Sequence, residues 1–363
     1  MSNVIQLTFP SRSAQRAAKH AALLETFASH RRDQGDVFWL KENAEILNIL
    51  ECTGQSVAPE ALAAYDELYA GIEERLEFFP QYYRFFLSIA QDLEALGMPG
   101  GKSARMAQWI ADQGLVEAEL SDLQRGEAIR LLTRNGVILS EDVTRINGRL
   151  KQFASRRSTF AIPNKKAAYE LTHISFYLSE YGRKNPQLGD AVRRSLDNAG
   201  TLAILDCNWD LLAEVSVAMR YGGWVPPRIW DETLARATEG FSVAEGDGAM
   251  RQDDYHEYLV CNWALSAAGG EPFKISTRPG PVSFHSAPRY TSALREMSEI
   301  LHELGPRRSA DWHLSRDYLL DAVTSEAADM ILHAEEAADD FDEFYAHFAR
   351  TAMRAPTREV ARA

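Results

Sequence analysis

Residues Lys165–Gly182 read KKAAYELTHISFYLSEYG. Apolar residues recur three and four positions apart, the period of a helix with one buried face, and the run stops on a glycine. A glycine just past a helix takes the left-handed conformation that caps the last carbonyls. The same ending occurs six more times: ILNILECTG at Gly54, SIAQDLEALG at Gly97, AIRLLTRNG at Gly136, EVSVAMRYG at Gly222, WALSAAGG at Gly269 and SEILHELG at Gly305. Successive glycines lie 36 to 47 residues apart, the length of two helices with their connections.

More polar helices precede several of these runs: APEALAAYDELYAGIEERL, QLGDAVRRSLDNAG and PPRIWDETLARATEG, the last opened by Pro226 and Pro227 as a helix start permits. The chain therefore reads as all-α, a stack of about six to seven helical hairpins with the apolar, glycine-ended helices as the inner layer. Only PFKISTRPGPVSFHS (272–286) reads as a short extended or irregular segment. An α/α toroid is the expected closure and an open α-solenoid the alternative, between which periodicity does not choose. One domain is expected over residues 1–353, with RAPTREVARA (354–363) as a frayed tail.

Composition narrows the function. The 363 residues carry a formal net charge of −13, 45% hydrophobic and 10% aromatic residues. That is a globular chain without the clustered positive surface that nucleic acid requires. Three cysteines, Cys52, Cys207 and Cys261, make no disulfide framework and suit a reducing compartment. The opening MSNVIQLTFPSRS lacks the pattern of a signal peptide, and no apolar run approaches a membrane span. The expectation is a cytoplasmic protein that binds neither nucleic acid nor membrane.

Counting back from each terminal glycine compares depth along the inner helices. Asp210 lies 12 before Gly222, His256 lies 13 before Gly269, and Glu170 and His173 lie 12 and 9 before Gly182. In parallel helices these fall within about one turn of a common level. Cys207 precedes Asp210 by one turn. Imidazole, carboxylate and thiolate are zinc ligands, and three of them with one open position make a catalytic site. His173, Asp206, Cys207, Asp210 and His256 are thus candidate zinc ligands, and His173, Glu170 and Asp210 candidate catalytic groups. Each has a structural alternative: Asp206 or Asp210 as a helix cap, Cys207 as core, the histidines as hydrogen-bonded or surface residues.

DDYHEYLVCNWALSAAGG (253–270) resembles the segment that carries the zinc histidine in protein prenyltransferase β-subunits, and LDCNWDLLAE (205–214) resembles their aspartate–cysteine segment. The resemblance implies an α/α toroid with His256, Cys207 and Asp206 as ligands. Asp206 and Cys207 are adjacent where that family has a spacer, so Asp210 is a substitute for Asp206. ELTHISFYLSEYG is similar to a stretch in uncharacterised bacterial helical proteins related to terpenoid-cyclase toroids. The function so implied is a zinc-dependent transferase or lyase acting on an apolar, isoprenoid-like small molecule, against a non-catalytic helical-repeat binding protein.

Other motifs are weaker. Glu170-x-x-His173 and Glu299-x-x-His302 form the paired ExxH of a di-iron carboxylate protein, but at opposite helix depths. DDFDE (339–343) has the form of a magnesium–diphosphate motif within an acidic surface helix. GGKS (100–103) lacks the preceding strand of a phosphate loop and reads as a turn. Recurrent inner-helix aromatics, Phe38, Trp39, Tyr82, Tyr83, Phe85, Phe176, Tyr177, Trp209 and Trp263, suit either core packing or an aromatic-lined cavity.

Overall fold

The structure, a computed structural model, describes residues 11–139, 142–246, 252–288 and 291–351; the expected tail at 354–363 lies outside them. In chain order the elements are α1 (Arg12–Glu25), α2 (Val37–Cys52), α3 (Pro59–Leu62), α4 (Asp66–Phe78), α5 (Tyr83–Ala95), α6 (Lys102–Asp112), α7 (Asp122–Arg134), α8 (Val143–Ala154), α9 (Arg157–Phe160) and α10 (Lys165–Leu178). They continue with α11 (Asp190–Leu205), α12 (Trp209–Tyr221), α13 (Arg228–Glu239), β1 (Ser242–Glu245), α14 (Tyr255–Ala267), β2 (Val282–His285), α15 (Ala293–Leu304), α16 (Trp312–Ala322), α17 (Ser325–Ala337) and α18 (Phe341–Phe348). The molecule is predominantly α-helical.

The glycine-ended helices form one contact series. Helix α2 packs on α5, α5 on α7, α7 on α10, α10 on α12, α12 on α14, and α14 on α2 again. Four of their endings repeat a hydrogen bond from the residue after the glycine to a carbonyl five positions back: Gln55 to Leu50, Met98 to Leu93, Val137 to Leu132, Gly270 to Leu265. This is the cap that a left-handed residue makes possible. Helix α10 instead stops at Leu178, and Glu180 and Tyr181, both at φ 51°, begin the left-handed turn before Gly182. After α12 the turn shifts by one: Gly222 stays helical at φ −76° while Gly223 takes φ 88° and Trp224 donates to Met219.

The more polar helices lie outside that series. Helix α4 packs on α5, α6 on α5 and α7, α8 on α7 and α10, α11 on α12, and α13 on α12 and α14. Their hydrophobic stripe faces inward; Leu234 and Trp230 of α13, for example, are buried. Helix α1 reaches the chain after α14, with Arg16 to Glu271 at 3.2 Å and Lys19 to the Lys274 carbonyl at 2.6 Å.

One expectation needs correcting. The helix that ends at Gly305, α15, does not join the inner series: it packs on α11, α16 and α17 in a C-terminal group of helices. Its apolar face looks like the others in sequence, but it is covered by helices on the outside of the molecule. Six glycine-ended helices therefore remain in the contact series. The stretch at 272–286, expected to be extended or irregular, does supply a strand, β2; its antiparallel partner β1, with Val243 opposite Phe284, was not foreseen.

Arg31 joins the two ends of the helix series. Its guanidinium donates to Glu42 of α2 at 2.8 Å, to both Asp253 oxygens at 2.8 Å and to the Val282 carbonyl at 2.9 Å. Its plane lies among the rings of Phe27, Tyr255 and Phe284 at 5.1 to 5.5 Å. The cation and both carboxylates are removed from water, so each depends on the others for its solvation.

Candidate functional site

All six helices of the inner series contribute to one central cavity of about 270 Å³. Lys41, Glu45 and Asn48 reach it from α2, Arg84, Phe85 and Ser88 from α5, and Glu127 and Arg130 from α7. His173, Phe176 and Tyr177 come from α10, Glu214 from α12, and His256, Val260 and Trp263 from α14, with Tyr181 just beyond α10. Of the aromatics singled out in the sequence, Phe85, Phe176, Tyr177 and Trp263 line it. Trp39 is instead core, its indole N–H bonded to the Ala28 carbonyl, and Phe38 is exposed.

The polar centre is built from neighbouring helices. His256 Nδ1 lies 2.5 Å from Asp210 Oδ2, and the Tyr169 hydroxyl donates to Asp210 Oδ1 at 2.7 Å. Asp210 and Glu214 are one turn apart on α12, hence on one face. One ligand atom each of Asp210, Glu214 and His256 lies within 4.8 Å of the others. His256 Nε2 also stands 3.7 Å from Glu45 Oε1 and 3.8 Å from Glu214 Oε1. At the other end of α12 and α14, the Trp263 indole N–H donates to the Tyr221 hydroxyl at 3.0 Å. Bonds between the two starts and between the two ends mean that α12 and α14 run parallel.

Burial and neighbouring charge set the protonation. For His256, burial opposes the cation, but Glu45, Asp210 and Glu214 outweigh it and raise its pKa to about 10. Burial also opposes the Asp210 charge, yet the bonds from His256 and Tyr169 hold its carboxyl below the usual range. Glu214 goes the other way: burial dominates and raises its carboxyl, although Thr172 donates to it at 2.6 Å. At neutral pH the site therefore holds an imidazolium–carboxylate pair beside a carboxyl group that takes up a proton readily.

His173 stands across Glu214, its Nδ1 3.7 Å from Oε2. The same Nδ1 is 2.6 Å from the Tyr169 carbonyl. A carbonyl only accepts, so in the neutral ring the proton sits on Nδ1 and the lone pair on Nε2.

The remaining candidates are elsewhere. Asp206, the ligand that the resemblance implies, ends α11 and is bonded by Lys165 at 3.0 Å and Ser292 at 2.8 Å. Cys207 is buried in the turn between α11 and α12 with φ 48°, and it is not part of the Asp210–Glu214–His256 group. Glu170, one turn before His173, is half-buried and does not line the cavity. The di-iron alternative fails on placement: Glu299 and His302 are exposed on α15, and Glu299 pairs with Arg295 at 2.9 Å. The DDFDE carboxylates meet arginines, Asp339 with Arg193 at 3.1 Å and Glu343 with Arg194 at 2.7 Å.

Glu214 and Glu45 were missed in the sequence. The usable signal was Asp210-x-x-x-Glu214, two acids on one face of the otherwise apolar helix WDLLAEVSVAM. Among the described residues no helix is long and apolar enough to cross a membrane.

The chain belongs to the family of the domain of unknown function DUF6902, whose family model matches residues 1–351. No curated protein and no solved structure matches it.

Proposed function

We propose that the protein is a closed α/α toroid of six hairpins and a metal-dependent enzyme, with a divalent ion, zinc in first place, held by Asp210, Glu214 and His256. The observation that carries this reading is the convergence of those three ligand atoms within 4.8 Å on the cavity wall. The return contact of α14 on α2 supports closure. The donor set fits: two carboxylates and one imidazole are borderline-to-hard ligands suited to zinc or a neighbouring divalent ion, which would take the place of the protons on His256 and Glu214. When bound, the ion supplies Lewis acidity and a water acidified toward neutral pH.

The chain's own groups do the rest. Asp210 fixes the His256 ring through Nδ1, Tyr169 fixes Asp210, and Thr172 fixes Glu214. His173 offers an Nε2 lone pair as a base, and the aromatic wall takes an apolar body. A transfer or elimination on a small apolar-bodied molecule, isoprenoid-like in shape, is the reaction class that these parts serve. The setting we infer is cytoplasmic, on cysteine usage alone.

A second reading has its own observation. The 2.5 Å contact between His256 and Asp210 suits a metal-free acid–base pair in the same cavity. Metal analysis of protein purified without a histidine tag separates the two. About one equivalent of metal, lost in Asp210→Asn with near-ultraviolet circular dichroism unchanged, supports the metal site. No bound metal, with a melting temperature indifferent to chelator, overturns it and leaves the acid–base pair or a purely binding role.

A further inference from the structure

The aromatic end of the cavity contains a buried cation that the site above does not use. His256 is the second residue of α14 and Trp263 the ninth, about 10 Å further along the helix. Tyr181 stacks on Trp263 at 5.8 Å, and the Arg130 guanidinium lies 4.6 Å from the Tyr181 ring centre and 5.8 Å from that of Tyr177. Arg130 thus belongs to the end remote from His256.

Its side chain is 4% exposed, and Nη1 is tied to Glu180 at 2.8 Å. Its Nε–H meets no acceptor. A buried donor left unmet is unfavourable, so the arrangement favours a ligand that brings an acceptor. The neighbouring charges do not supply one. Glu127 is engaged by Arg84 at 2.6 Å, and Asp92 by Arg134 at 3.1 Å. Fixing Nη1 on Glu180 leaves the Nε–Nη2 edge of the fork, whose two parallel N–H groups match the two oxygens of a carboxylate. Nε is closed off by protein, so seating a carboxylate there needs the guanidinium to turn toward the cavity that Arg130 lines. Ser88 and Asn48 line the same cavity, and Phe176, Tyr177 and Trp263 form apolar wall.

We propose that Arg130 is a carboxylate seat, and that the molecule taken into the cavity is a small carboxylic acid whose apolar body lies on the aromatic wall. This deepens the enzyme reading by naming the substrate class, and it rests on that reading for the chemistry at the His256 end. Arg130 is a binding residue in this scheme, with no part in bond making.

Calorimetric titration with 3-phenylpropanoate and its neutral amide, 3-phenylpropanamide, tests it. The carboxylate is expected to bind about tenfold or more tighter than the amide. Arg130→Gln should erase that preference. Arg130→Lys, which keeps the charge and the Glu180 partner but not the fork, should lose about tenfold of it; its near-ultraviolet spectrum and metal content report whether the fold is intact. Asp210→Asn, without the metal ligand, should keep the preference, so the seat is tested even if no metal binds. Equal binding of acid and amide, no binding of either at about 10 mM, or a preference that survives in folded Arg130→Gln overturns the proposal. So does loss of the preference in Asp210→Asn, which would place the carboxylate at the His256 end.

Discussion

His256 and Glu214 depart from their ordinary protonation in ways that make the centre measurable. The His256 pKa is raised from 6.5 to about 10 in the folded protein. A raised imidazole stabilises the fold fully below its unfolded value, and the contribution is lost as pH climbs through the folded one. In the metal-free protein thermal stability should therefore fall between pH 6.5 and about 10, and this slope should flatten in His256→Gln; melting curves across that window in the presence of chelator check it. Asp210, held low, contributes at the other end: its stabilisation disappears as pH falls through the carboxylate range. For Glu214→Gln the expectation is a split. The amide keeps the Thr172 contact and removes a buried charge, so unfolding free energy should stay within about 1 kcal/mol of wild type or exceed it. Metal affinity should drop by about 100-fold, read by competition with a chromophoric chelator. From the sequence, depth counting put Asp210 and His256 at one level, and the structure has them bonded. It could not exclude Asp206 or Cys207, because the left-handed turn at Cys207 decides where those side chains go, and a turn is set by its surroundings as much as by its residues.

At the scale of the helix, glycine has two opposite roles. Gly200 of α11 lies against Trp230 of α13, and a Cβ there would sit 2.0 Å from the Trp230 ring. Trp230 is fully buried and cannot retreat. Gly200→Ala should cost about 1–3 kcal/mol by overpacking. Gly71, within α4, has nothing within 4 Å of the same position. Gly71→Ala should add about 0.5–1 kcal/mol by raising helix propensity. Urea denaturation of the two variants side by side gives opposite signs if the packing is as described. The element pattern was the most legible part of the chain, since a helix and its glycine cap are local. What covers a helix is not local. Helix α15 has the same apolar face and glycine stop as the inner six, and only its neighbours α11 and α17 mark it as belonging outside.

For the whole molecule, Arg31 is the test of how the two ends of the inner series are joined. Replacing it by methionine keeps the bulk among Phe27, Tyr255 and Phe284 but leaves Asp253 buried without its cation. The cost should be about 3–5 kcal/mol, seen as a lower urea midpoint. Because Asp253 immediately precedes α14, metal affinity at His256 should weaken in the same variant. The Arg31–Asp253 partnership spans 222 residues and has no signature in sequence: both residues read as surface charges in loops. The helical class was legible; the clasp, the pairing of β1 with β2 and the place of α15 needed the tertiary structure.

That clasp also fixes an order of events while the chain is being made. Arg31 leaves the ribosome early together with Glu42, its first partner, but the rest of its guanidinium waits for Asp253 and then for the Val282 carbonyl. Until then α2 lacks its contact with α14, a state in which apolar surface is open to other chains. His256, the histidine of the polar centre, emerges only three residues after Asp253. Translation thus completes the scaffold and the chemistry almost together, so a prematurely ended chain would carry neither.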